Sequence, residues 1–204
     1  MERYSQEVFA RTAEIDNAFK NIDITFEYLA KKTHTNSNFK FSEHHAFHVE
    51  NFLLRLTSVV DRSYLLAGST MLLENSKIEK LGGKKLVHNK ISEFSPESFS
   101  ILKRMEDTIS HLKGHRNKVA HQSGYSNKNL CILQAIENSD PTSTPIREIT
   151  EIISYESIKN LVITDSTREF QKITSTLDSL VTQLIDSLSF VYSGLLKNHK
   201  VFSN

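Results

Sequence analysis

A single cysteine, Cys131, occurs in the whole chain, which excludes an internal disulfide framework and fits a reducing compartment. Proline is nearly as scarce: three in 204 residues, two of them at 141 and 145, beside only six glycines. So few breakers leave long stretches uninterrupted, which favours helices over many short strands. No apolar run approaches a membrane span, and the opening MERYSQEVFARTAEID has no apolar signal core. The closing KVFSN is neither a retention nor a lipidation signal. A soluble, cytoplasmic protein with no membrane partner is therefore expected. An excess of one charge is missing too. The formal charge is +1, so any basic site for an anionic partner must be local.

At 38% hydrophobic and 24% charged, the chain is ordinary globular material with enough apolar mass for a core. Its length suits one helical domain over 1–204, with a possible small excursion at 125–160. Val8, Ile15, Phe19, Ile22, Phe26 and Leu29 recur at helical spacing and predict a first helix over 4–32. After the polar loop THTNSNFKFS (33–42), Ser42 is placed to cap a second helix with Glu43 in its first turn. The seam of that helix runs through Val49, Leu53, Leu56, Val60, Ala67 and Met71, ending near Glu74. A lysine-rich connection, NSKIEKLGGKK, precedes a short helix over 86–94. Ser95-Pro96-Glu97 is a helix start with a capping hydroxyl, proline at the first position and an acid. That helix should run into RNKVAH, with Gly114 bending or interrupting it. LCILQAI (130–136) reads equally as helix or strand, and REITEIISYESI has room for one short strand. The last helix is marked by Phe170, Ile173, Leu177, Leu180, Leu184, Leu188, Val191 and Leu195. Together these predict an all-α antiparallel bundle of four to five helices, with seams long enough to serve a dimer interface.

One residue breaks the pattern. Leu102, Met105, Ile109 and Leu112 form an apolar stripe, and its extension lands on Arg116 and then Val119. A guanidinium in a leucine slot is costly to bury alone, so it should meet a cleft, an acid or a bound anion. Asn117 and His121, four residues apart, project from one side of the same helix, within reach of the Arg116 stem. The bland alternative pairs Arg116 with a buried acid such as Asp61 and leaves His121 to cap helix carbonyls. An arginine shortly before a histidine is common by chance. Arg104 and His111 also make such a pair, on the face of Thr108 and His115, and there it reads as a solvated surface.

Other candidates are weaker. Lys77, Lys80, Lys84, Lys85 and Lys90, with Lys113, Lys118 and Lys128 nearer the motif, suit either a phosphate backbone or ordinary solvation. LGGKK lacks the earlier glycine and the following Ser/Thr of a phosphate loop. His44, His45 and His48 form an HHxxH cluster flanked by Glu43 and Glu50, and His111 and His115 are a second pair. Such spacing can hold a metal, but no cysteine or obvious acid completes a site, so neither metal nor cofactor is expected. No GxSxG turn offers a hydrolase nucleophile.

Arg116-Asn117-Lys118-Val119-Ala120-His121 resembles the RNxxxH form of the motif of HEPN domains, a superfamily whose signature is Arg, four to six residues, then His. The stretch FHVENFLLRLTSVVDRSYLL (47–66) is similar to the second helix of those domains. The resemblance implies a metal-independent endoribonuclease acting on RNA in a toxin–antitoxin or antiviral-defence role. It also implies a homodimer with a composite cleft, and an antitoxin or regulatory protein as a further partner. His121 would be the acid/base, Arg116 the phosphate clamp and Asn117 a support. The alternative within the same family is a non-catalytic module that binds a nucleotide or a protein. Some HEPN toxins carry Tyr two residues after the histidine. Ser123 stands there in this chain and Tyr125 lies two further on, a departure that bears on control by nucleotidylation.

Overall fold

The computed structural model describes residues 2–121, 124–140 and 142–201, the side chains of 120, 121, 196 and 198–201 excepted. Among them there is no strand, and no helix is long and apolar enough to cross a membrane. The chain is all-α. The order is α1 (Glu2–Leu29), α2 (Phe41–Thr70), α3 (Asn75–Ile78), α4 (Gly83–Phe94), α5 (Pro96–Thr108), a 3-10 turn (Ser110–Leu112) and α6 (Lys113–His121). Then come α7 (Lys128–Asn138), α8 (Thr144–Ile152) and α9 (Tyr155–Val201). Nine α-helices among the described residues exceed the four or five expected. Short helices stand where the sequence suggested connections or a strand.

Each difference has an identifiable cause. The ambiguous LCILQAI is helix α7, because Asn127 caps it by accepting the Leu130 N–H at 2.8 Å, and Leu130 and Leu133 bury one side. REITEIISYESI holds no strand: Pro145 stands in the first turn of α8, Ile146 is buried on it, and Ile152 on its far side is 86% exposed. Ser42 is not the cap of α2. It lies inside the helix with its hydroxyl buried, and Glu43 instead accepts the Lys40 N–H at 2.7 Å. Helix α4 starts earlier than expected, at Gly83. Gly82 adopts φ +87°, and a Cβ on Gly83 would come 2.0 Å from the Ile78 carbonyl oxygen. The SPE start of α5 holds, with Ser95 Oγ accepting the Ser98 N–H at 3.2 Å.

The described residues fall into two compact units. The first takes Met1–Lys20, Leu56–His111 and Ile173–Asn204. Here α1 and α2 run antiparallel: the Tyr4 hydroxyl donates to the Thr70 carbonyl at 3.1 Å, and Arg62 Nη1 donates to the Glu14 carbonyl at 2.7 Å. Helices α5 and α9 are antiparallel as well, joined by Ser98 to Ser187 at 2.8 Å and by Arg104 Nη1 to Gln183 Oε1 at 3.2 Å. Leu56, Val60, Val87, Ile91, Leu102 and Leu184 are among the side chains that fill its interior.

The second unit takes Asn21–Arg55 and Leu112–Lys172. Phe52 of α2 stacks on Phe170 of α9 with centroids 4.0 Å apart, and Phe26 leans on Phe52 at 5.4 Å. A buried cluster of Phe41, Leu130, Leu133, Ile158 and Val162 joins α2, α7 and α9. Helix α7 lies antiparallel to α9, with Asn129 Nδ2 donating to Asp165 at 3.0 Å and the Tyr155 hydroxyl to Glu137 at 2.7 Å.

His45 is buried in this unit, 2.9 Å from the Ser166 hydroxyl through Nε2. Ser166 gives its own proton to the Val162 carbonyl at 2.6 Å, so it accepts from His45, and Nε2 carries the hydrogen of a neutral ring. Burial, followed by His48 and His34 nearby, lowers the His45 pKa to about 4. The unfolded chain protonates this ring near its ordinary 6.5, so folding stability is complete above that pH and falls as pH drops toward 4. The difference amounts to about 3 kcal/mol at the acid end. Urea unfolding followed across this window should lose most of that slope in His45→Gln; an unchanged slope would assign it to other groups.

Candidate functional site

The helix carrying the arginine–histidine motif is not a continuation of the one before it. Helix α5 ends at Thr108, the 3-10 turn follows, and α6 starts at Lys113, so the interruption precedes Gly114. Leu102, Met105, Ile109 and Leu112 are all buried, as the stripe predicts. The tighter winding of the 3-10 turn changes the rotation per residue, so α6 need not inherit the register of that stripe. Arg116 and Val119 on α6 are accordingly only partly buried.

Arg116 is held in an unusual way. Its Nη1 donates to the Asn117 side-chain oxygen at 3.2 Å, while its Nε is buried with no hydrogen-bond partner among the described residues. No acid pairs with it there, and Asp61, the acid proposed as its partner, is 3.5 Å from Lys84 instead. A guanidinium has five N–H donors, and leaving one buried and unmatched costs about 1–3 kcal/mol. Helix α6 contains Lys113, His115, Arg116 and Lys118 and no acidic residue, and all of these except Arg116 are exposed. The helix therefore presents positive charge without an ion pair among the described residues, and spare donors, which suits an anion. The backbone of His121 closes α6, but its side chain, like Ser123, lies outside the described residues.

The segment after the motif is tied down by α2. Gly124 has φ +80°, and a Cβ there would meet Glu50 Oε1 at 2.6 Å. That same carboxylate oxygen accepts the Tyr125 N–H at 2.7 Å, so Glu50 serves the backbone of this loop. The Tyr125 ring faces His115 with centroids 5.8 Å apart. Burial raises the Tyr125 pKa, opposed by the Asn127 hydrogen bond and assisted by Glu169 and Asp165. The position following the motif thus holds a neutral, half-buried phenol.

The remaining candidates separate. Lys77 pairs with Glu74 at 2.8 Å, Lys84 with Glu106 at 2.8 Å, and Lys90 with Glu93 at 3.5 Å. These three lysines are spoken for by acids, whereas Lys113, Lys118 and Lys128 are exposed. Arg104 and His111 are exposed, in line with a solvated face. The HHxxH cluster splits. His45 turns to Ser166, while His44 and His48 join His34, a loop residue that sequence reasoning passed over. His34 and His44 stack at 3.9 Å and 13°, and His44 also lies 2.7 Å from the Ser37 hydroxyl through Nε2. Stacked rings have nearly parallel planes, so their in-plane lone pairs cannot converge on one tetrahedral ion. No metal-binding group of three or more His, Cys, Asp or Glu occurs among the described residues. The three histidines instead line a cavity of about 670 Å³ with Tyr28, Phe39 and Phe47. The signal in the sequence was aromatics in polar surroundings, Phe39 in the loop and Phe47 on the exposed side of α2.

If Arg116 is kept for an anion rather than for folding, Arg116→Leu should leave the denaturant midpoint unchanged or raise stability by about 1 kcal/mol. A loss of more than about 2 kcal/mol would make the guanidinium a structural element. Compared with known proteins, the chain matches no family model, no curated protein and no solved structure.

Proposed function

We propose that this chain is a HEPN-like, metal-independent endoribonuclease that acts as a homodimer, in a toxin–antitoxin or antiviral-defence role. The observation that carries the reading is Arg116. It is a partly buried guanidinium with no acid beside it among the described residues, one neutral acceptor in Asn117 and a spare buried Nε, on a helix without acidic residues. A scissile phosphate would supply the missing acceptors in a geometry that suits a guanidinium fork.

In this reading two copies of α6 line one cleft. The ribose 2′-oxygen attacks the adjacent phosphorus as His121 takes its proton, the bond to the 5′-oxygen breaks, and that oxygen is protonated as it leaves. The products are a 2′,3′-cyclic phosphate and a 5′-hydroxyl. Arg116 balances charge on the phosphoryl oxygens as the pentacoordinate state forms, and Asn117 fixes the guanidinium through the bond it already makes. Lys113, Lys118 and Lys128 would follow the flanking backbone. The roles of His121 and of the second protomer rest on the resemblance of RNKVAH to the HEPN motif.

Purified protein incubated with total RNA in EDTA should yield fragments ending in 2′,3′-cyclic phosphate and 5′-hydroxyl. His121→Ala and Arg116→Ala should each cut at least about a hundredfold more slowly. Identical RNA patterns from wild type and His121→Ala would remove the proposal, and cleavage abolished by the chelator would move the chemistry to a metal.

A further inference from the structure

The cavity at the start of α2 has features that α6 does not explain. It is bounded by the end of α1, the loop after it and the first two turns of α2, all in one compact unit. Its volume of about 670 Å³ lies within the range of small-molecule sites, roughly 300–1,000 Å³. Four rings in it are nearly parallel. Tyr28 stacks on His48 at 4.8 Å and 20°, His34 on His44 at 3.9 Å and 13°, and His34 lies 6.1 Å from His48 at 22°. Phe39 and Phe47 stand across this set, at 83° to His44 and 76° to His48. They are 67% and 61% exposed, so water covers aromatic surface that a core would have buried.

Charge narrows the occupant. An aromatic cage for an ammonium group needs open ring faces and a free carboxylate. Here the Tyr28 face already has the Lys31 ammonium 4.0 Å from its centroid, and the one acid, Glu43, is engaged by the Lys40 N–H. Lys31 and Lys159 add positive potential around His34, and Lys31 does so around His48. Burial first, then the neighbouring positive groups, lowers the pKa of His34 and His48, which keeps those rings neutral near pH 7. A neutral imidazole offers one donor and one acceptor in its plane and a π-face above it. The cavity thus suits a flat, uncharged heteroaromatic ring, with the exposed Lys31 beside it for an attached phosphate.

We propose that this cavity binds an unpaired nucleobase of a nucleotide, stacked parallel to the His34/His44 pair and His48 and edged by Phe39 and Phe47. Bases with no pairing partner expose both faces to such aromatic platforms, and stacking tolerates any base identity. The site is separate from Arg116 and needs no cleavage chemistry, so it stands or falls independently of the ribonuclease reading.

The test uses the full chain, which has no tryptophan to interfere with a fluorescent base. The probes are 2-aminopurine ribonucleoside monophosphate and a short single-stranded RNA with one central 2-aminopurine, its 2′-hydroxyls replaced so that nothing is cut. Saturable quenching is expected with one or both. Quenching by the mononucleotide alone identifies a free nucleotide as the ligand, and quenching only within the strand identifies an RNA base. Phe39→Ala and Phe47→Ala, both at exposed positions that spare the fold, and His34→Ala should each weaken binding about tenfold. Absence of quenching with both probes would overturn the proposal. So would equal binding of a fully base-paired copy, displacement by tetramethylammonium, or unchanged affinity in all three variants.

Discussion

One thirty-residue helix, α2, is buried along most of its length, and each compact unit packs around its own stretch of it. Val49, Phe52, Leu53, Leu56, Val59 and Val60 have no measurable exposure, and Tyr64, Leu66 and Ala67 almost none. A helix that is apolar on so many sides needs neighbours all round it. Several of its buried polar residues are satisfied nearby, the Ser42 hydroxyl excepted among the described residues. Ser63 and Thr70 return their hydroxyl protons to carbonyls one turn back, at 2.8 Å each, and His45 finds Ser166. The same burial keeps His45 neutral, since loss of water is the largest cause of its lowered pKa.

The two ends of that burial explain the contrast between the candidate sites. Toward its N-terminus α2 leaves the packed interior, and its histidines separate by face. His45 points inward to hydrogen-bond, while His44 and His48 face the cavity and stack. Identical residue types within five positions thus do different work, because a helix turns about 100° per residue. Farther along, Glu50 reaches the loop after α6 and accepts the Tyr125 N–H. The arginine on α6 is the opposite case from His45. It is partly withdrawn from water with donors to spare, and in a folded chain such a group needs a ligand or an explanation.

The break between α5 and α6 also separates two arginine–histidine pairs that look alike in sequence. Arg104 sits on an exposed face of α5 and donates to Gln183 of α9. Arg116 lies beyond the break, half-buried, with Asn117 as its described acceptor. Spacing alone does not distinguish them; environment does. The lysines divide in the same way, since Lys77, Lys84 and Lys90 face acids that are distant in sequence or a turn away.

The sequence by itself determined that the protein is helical, where α2, α5 and α9 bury their seams, and how α5 begins. Those features depend on periodicity and capping within a few residues of one another, as Ser95 and Ser98 or Leu177 and Leu184 illustrate. It also singled out Arg116 as a residue at odds with its stripe. Only the tertiary structure decided that LCILQAI is a helix, since that short apolar run took its form by packing Leu130 and Leu133 against Phe41 and Ile158. Tertiary contacts likewise set Lys84 beside Asp61, divided the histidine cluster, and brought Tyr28, His34 and His48 to one cavity. Ring stacking, ion pairing and desolvation act between residues far apart in the chain, and no local pattern records which of them will meet.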